Sequence, residues 1–172
     1  MKKYALSFLL ILALLVYAYY KVFIVPTNLK VGQNCPELIC DEGYQLSALY
    51  QQNYVLLDFW GSWCGPCRQQ NKEWVQLYER FRKKEFEGKY GFEIMSVALE
   101  NSKKSYKKAV DKDQINWPTK CVDYNRMKAK AAIAFDVREI PTHFLINPYG
   151  KIVGINLSAE EIERFLKQRV TK

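Results

Sequence analysis

The stretch YVLLDFWGSWCGPC, residues 54–67, runs an apolar segment into two cysteines three positions apart. Tyr54 to Trp60 is almost continuously apolar, the pattern of a strand buried on both faces in a sheet covered by helices. Asp58 is the exception within it. Past Cys67, Trp74, Leu77, Tyr78 and Phe81 recur at i, i+3, i+4 and i+7, which is the apolar stripe of a helix docking on that sheet. The two cysteines therefore stand where a strand hands over to a helix.

Working outward, residues 31–49 read as short extended pieces turning at Asp41-Glu42-Gly43. Phe92 to Leu99 reads as a second strand, 102–114 as a polar helix and the alanine-rich Lys128 to Phe135 as a short helix. Thr142 to Ile146 and Lys151 to Ile155 are strands around an Asn147-Pro148-Tyr149-Gly150 turn. Ser158 and Glu161 form a capping box that opens the last helix. This alternation predicts an α/β fold, a central mixed β-sheet flanked by helices, within one globular domain over 26–172.

Residues 1–25 differ from the rest: Lys2 and Lys3 precede an uncharged apolar run from Tyr4 to Tyr20, followed by Lys21 and Val22 to Val25. A cleaved signal has an apolar stretch of about 7–15 residues, whereas a spanning helix needs roughly 17–25. The length, the loose cleavage site at Val16-Tyr17-Ala18 and the interfacial residues Tyr17, Tyr19, Tyr20 and Lys21 predict a retained N-terminal membrane anchor, with a cleaved signal sequence as the alternative. Positive charge ahead of the span favours that end in the cytoplasm and the domain on the extracytoplasmic side.

There, disulfides persist. All five cysteines, Cys35, Cys40, Cys64, Cys67 and Cys121, follow the anchor, and an odd number leaves at least one unpaired within a monomer. An extended chain would set Cys35 and Cys40 about 16 Å apart at roughly 3.3 Å per residue, against the 7 Å or so a bridge allows. They pair across a turn, or one of them meets Cys121, or they are small buried hydrophobes. The net charge of +8 is scattered, with its densest group at Lys103, Lys104, Lys107, Lys108 and Lys112 on the polar helix, and reads as a solvated face instead of a nucleic-acid site.

A leading cysteine at the first turn of a helix faces unsatisfied N–H groups and the positive end of the helix dipole, so its thiolate is favoured. Cys64 is thus the expected nucleophile. Cys67, one turn deeper, is placed to attack the mixed disulfide that Cys64 makes with a substrate. Pro66 is tolerated in a first helical turn. A structural zinc site wants four ligands, and His143 is the only histidine. Asp58 behind the thiols could take the proton Cys67 must lose, its pKa raised towards neutrality by burial, or could be a satisfied structural acid. Trp60 is expected in the core, Trp63 at a rim contacted by partners, and His143 in packing or at the surface.

LLDFWGSWCGPC resembles the thioredoxin signature, with Asp58 where that superfamily carries a buried carboxylate. VREIPTHFLINPYGKIVG resembles the segment in which a cis-proline, here Pro141, faces the active-site disulfide. With VGQNCPELI before the core and the inserted ENSKKSYKKAVDKDQINWPTKCVD, residues 31–170 resemble the membrane-anchored TlpA/ResA-like branch of thiol-disulfide oxidoreductases, relatives of those serving cytochrome c maturation. The resemblance implies a thioredoxin fold with an N-terminal extension and a central insertion. It also implies disulfide exchange with protein substrates through Cys64 and Cys67, substrate contacts at Trp63, Gly65, Pro66, Ile140 and Pro141, and a membrane or soluble redox partner that recharges the dithiol. Ile140 before the proline leans towards reduction. No cofactor or metal is expected at the site. Where many members carry an acid and a proline after the second cysteine, this chain has Gln70 and Asn71. The rivals are a peroxidase on the same fold, which wants a peroxidatic cysteine in a Pro/Thr setting, and a copper carrier, which wants CxxxC with a histidine.

Overall fold

The computed structural model of the protein describes residues 2–23 and 27–171. Helix α1 (Lys2–Phe23) carries exposed apolar side chains from Phe8 to Val16. Among the described residues no helix is long and apolar enough to cross a membrane. Ile24, Val25 and Pro26, assigned above to the targeting run and its linker, lie outside the described residues, as do the side chains of Tyr20 and Lys21.

The sheet has five strands, β1 (Asn53–Trp60), β2 (Gly91–Leu99), β3 (Lys120–Asp123), β4 (Thr142–Ile146) and β5 (Ile152–Ile155), in the order β3-β2-β1-β4-β5. β1, β2 and β3 are parallel, while β4 runs antiparallel to β1 and β5 to β4. Parallel neighbours need a crossover, and helices α3 (Gly65–Phe81) and α4 (Lys103–Asp113) supply the two. The mixed sheet flanked by helices is the thioredoxin fold.

Successive side chains of a strand point to opposite faces. Tyr54, Leu56 and Trp60 of β1 pack with Trp74, Leu77, Tyr78 and Phe81 of α3 and with Ile162 and Leu166 of α6 (Ala159–Lys167). Val55, Leu57 and Phe59 point the other way into a second cluster with Phe135 and Phe144, closed by Leu38, Leu46 and Ala132. Every residue of β1 after Asn53 is buried, which explains the unbroken apolar run. The lysines of α4 are exposed, and only Ala109 and Asp113 of that helix are buried. The capping box of α6 is formed in both directions: the Ser158 hydroxyl accepts from Glu161 N, and Ser158 N donates to Glu161.

Three segments differ from expectation. Within 31–49, the chain turns into a one-turn helix, α2 (Leu46–Tyr50), because Leu46 is drawn into the second cluster; a single turn shows no period in sequence. The expected helix over 128–135 is broken at Ala129, whose extended ψ of 139° separates a 3-10 turn (Arg126–Lys128) from α5 (Lys130–Ala134). Inside the insertion lies β3, a strand with one buried residue, Cys121, and hence no apolar run to betray it.

Cys121 forms a disulfide with Cys40, 81 positions earlier, at a Cα separation of 5.7 Å, and Cys35 is free. The bridge ties the edge strand to the 35–45 segment across the second cluster. Closing so long a loop restricts the unfolded chain and is worth roughly 2–4 kcal/mol. Cys40→Ser with Cys121→Ser should lose about that much in urea unfolding, with the Cys64/Cys67 disulfide intact; an unchanged midpoint would show the bridge to be dispensable.

Candidate functional site

β1 ends at Trp60 and α3 starts at Gly65, so the intervening loop lies at the carboxyl ends of the three parallel strands. Gly61 is required there: a Cβ would stand 2.7 Å from Trp63 Nε1 and 3.2 Å from the Leu99 carbonyl. Its absence lets the Trp63 indole donate to Leu99 O at 2.8 Å. The other edge of Trp63 stays open, 45% exposed, with the Arg126 guanidinium 4.6 Å from its ring centre.

Cys64 and Cys67 are joined as a disulfide, with Cα atoms 5.3 Å apart. Cys64 is the N-cap of α3, and its Sγ accepts the Cys67 backbone N–H at 3.2 Å. Cys64 is 6% exposed and Cys67 1%, so the first sulfur is the one in reach. Gly65 and Pro66 are exposed, and nothing lies within 4 Å of a Cβ placed on Gly65, which leaves a flat approach. The Ile140–Pro141 peptide is cis, and the Ile140 carbonyl oxygen lies 3.7 Å from Cys64 Sγ, placed to accept from the reduced thiol.

Asp58 shares its face of β1 with Leu56 and Trp60, the face that packs against Cys67 and Trp74. It is fully buried and neither carboxylate oxygen has a hydrogen-bond partner. Burial raises its pKa from an ordinary 3.8 to about 7, while the nearby Trp74 indole acts weakly in the opposite direction without closing a hydrogen bond. Directly across the antiparallel pair stands His143, buried and edge-on to Trp74 with ring centres 5.0 Å apart. Its Nε2 lies 2.7 Å from the Leu157 carbonyl, which can only accept, so Nε2 carries the hydrogen and Nδ1 is left without a partner. Burial lowers its pKa, with the Leu157 carbonyl opposing, which favours the neutral ring.

Polar anchors that sequence reasoning missed hold the loop from both sides. Glu100, at the end of β2 and completely buried, accepts from Ser62 N at 2.5 Å and from Ser62 Oγ at 2.8 Å. Arg68, next to Cys67, makes a two-point ion pair with buried Asp113, which also accepts from Asn71 Nδ2 at 2.9 Å. Gln70 is half-buried, its Oε1 enclosed without a partner. The only sequence signal for Glu100 was a carboxylate closing an apolar strand. Asp113, among the alternating charges of α4, gave none.

Because the folded state holds the Asp58 proton to a higher pH than the unfolded chain does, this group's contribution to stability is greatest below about pH 4 and is lost as pH rises through about 7. Asp58→Asn, neutral throughout, should therefore be more stable than the wild type at pH 8, by on the order of a few kcal/mol, with the gap closing towards pH 4. Urea denaturation across that range checks it; a gap that does not change with pH would show that Asp58 ionises as an ordinary carboxylate.

Residues 52–152 match the family model for thioredoxin-like proteins. The chain is 30% identical over 141 residues to the thiol-disulfide oxidoreductase ResA of Bacillus subtilis (strain 168), covering 80% of this chain and 73% of that one. It is 29% identical to ResA of Geobacillus kaustophilus (strain HTA426), covering 92% and 90%. Among solved structures, the thioredoxin domain of a Bacteroides vulgatus thiol-disulfide oxidoreductase superposes with a TM-score of 0.68 at 25% identity, covering 81% of this chain and 99% of that one. A thiol:disulfide interchange protein from Bacteroides sp. gives 0.68 at 25% identity, covering 84% and 92%. With a CxxC disulfide at the head of α3 and this likeness along most of its length, the chain belongs to the thioredoxin-like family, as a thiol-disulfide oxidoreductase similar to ResA.

Proposed function

We propose that the Cys64/Cys67 pair of the WCGPC motif is the exchanging disulfide and that it works as a reductant of protein disulfides outside the cytoplasm. The observation that carries this is the capping contact: Cys64 Sγ accepts the Cys67 N–H at the positive end of a 17-residue helix, which favours a thiolate there. That thiolate attacks one sulfur of a substrate disulfide and expels the other. Cys67 then attacks Cys64 Sγ of the mixed disulfide, restoring the Cys64–Cys67 bond and releasing the substrate as a dithiol.

Cys67 must lose its proton in that second step. Asp58, on the same face of the sheet and with a pKa near 7, takes it. Trp63, Gly65, Pro66, Ile140 and Pro141 form the surface on which the substrate chain lies, the Ile140 carbonyl holding the thiol of Cys64 between turnovers. A second redox protein returns two electrons to the pair. Residues 1–25 tether the domain over 26–172 to the membrane: the exposed apolar side chains of α1 and the Cys40–Cys121 bridge, which an oxidising compartment preserves, both support this placement.

Cys64→Ser should abolish dithiothreitol-driven reduction of insulin, and Cys67→Ser should accumulate mixed disulfide; full activity without Cys64 would overturn the assignment. Asp58→Asn should leave the first attack near its normal rate but slow resolution between pH 6 and 8, read from trapped intermediate against time. The native protein should fractionate with membranes with its amino terminus intact, and a soluble form starting near Tyr19 would reject the anchor.

A further inference from the structure

The Cys40–Cys121 disulfide lies in the second cluster, on the face of the sheet opposite Cys64 and Cys67. It lines a cavity of about 440 Å³ together with Glu37, Asp41, Glu42 and Asp123. The two sulfurs and a Glu42 carboxylate oxygen all lie within 4.8 Å of one another. Glu42 is exposed, and its carboxylate is oriented beside Cys121 by one backbone contact, its Oε1 accepting the Val122 N–H at 3.1 Å.

We propose that, once this disulfide is reduced, Cys40, Cys121 and Glu42 bind one thiophilic divalent cation of the zinc type, with water from the cavity completing a tetrahedral set. Zinc takes thiolate sulfur at about 2.3 Å and carboxylate oxygen at about 2.0–2.2 Å, so two ligands of one ion stand at most roughly 4.6 Å apart. Cys40 and Cys121 Sγ, bonded to each other while oxidised, separate on reduction, and the Glu42 oxygen already stands within 4.8 Å of both before any side chain turns. Two thiolates select a borderline-soft ion over magnesium or calcium. The remaining carboxylates around the cavity, against Lys130 as the cation among its lining residues, favour a dication.

The electrons come from a dithiol, such as reduced Cys64/Cys67 of another molecule. One of its thiolates attacks a sulfur of the Cys40–Cys121 bond to form a mixed disulfide, and its second thiol displaces that sulfur. The donor is oxidised to a disulfide, while Cys40 and Cys121 leave as two thiols carrying two electrons and two protons. The cation then displaces both protons. Oxidation and metal binding thus compete for the same two sulfurs.

The test uses the full chain with Cys35→Ser, Cys64→Ser and Cys67→Ser, so that no other thiol can answer. Reduced with a phosphine, freed of it and titrated anaerobically with Co²⁺, it should show thiolate-to-cobalt charge transfer and tetrahedral visible bands saturating at one equivalent per chain, displaced by Zn²⁺. The oxidised chain should show neither, and equal cobalt signals in both states would overturn the site. Glu42→Gln keeps an acceptor for Val122 N–H but loses the charge, and should weaken binding about tenfold or more; undiminished affinity would overturn the ligand set. Zn²⁺ should also raise the Tm of the reduced chain, since binding only to the folded state stabilises it. No rise would mean that the metal binds the unfolded chain, and the proposal would fall.

Discussion

The contact on which the rest of the site depends is a single backbone N–H, that of Cys67, pointing at the sulfur of Cys64. A helix start leaves its first N–H groups without partners, and a side chain one residue ahead is the usual acceptor. Here the acceptor is a sulfur, so the cap that starts α3 and the group proposed to do the chemistry are one atom. The turn can be held only if the strand before it and the helix after it are immobile. β1 provides the first condition by being buried on both faces between β2 and β4, and α3 the second through its Trp74, Leu77, Tyr78 and Phe81 stripe.

Polar anchoring then sets the loop between them. Glu100 takes both the N–H and the hydroxyl of Ser62, two residues before Cys64, and Arg68 fastens the residue after Cys67 to Asp113. A buried carboxylate that is fully paired holds geometry, while one left unpaired changes its proton affinity. Glu100 is of the first kind and Asp58, one strand away, of the second. A carboxylate thus braces the loop at Glu100, while at Asp58 a carboxylate is the proposed proton acceptor.

The parts of this arrangement legible in the sequence were those with a period or a spacing. The alternating faces of β1, the i, i+3, i+4, i+7 stripe of α3, the Ser158/Glu161 box and the four-residue CxxC each write themselves locally. What stayed hidden depends on contacts between distant residues. β3 has one buried side chain, so only its pairing with β2 and the bond from Cys121 to Cys40 make it a strand. His143 reads as an ordinary strand residue until the antiparallel register sets it opposite Asp58. Asp113 joins Arg68 across 45 positions, a distance over which no local pattern reports.

The two disulfides show how environment, rather than bond type, divides their tasks. At Cys64 the field is that of a helix N-terminus, which stabilises the charge of a departing thiolate. At Cys40 and Cys121 the surroundings are Glu42, Asp41, Asp123 and Glu37, which oppose a thiolate. A thiol there is a poor leaving group, and the bridge resists casual exchange while it braces the edge strand. The same carboxylates reverse their effect when the counter-charge is a dication, because what repels two thiolates attracts the ion that neutralises them. An acid-lined disulfide is therefore stable when oxidised and, once opened, is held open by a metal rather than by a proton.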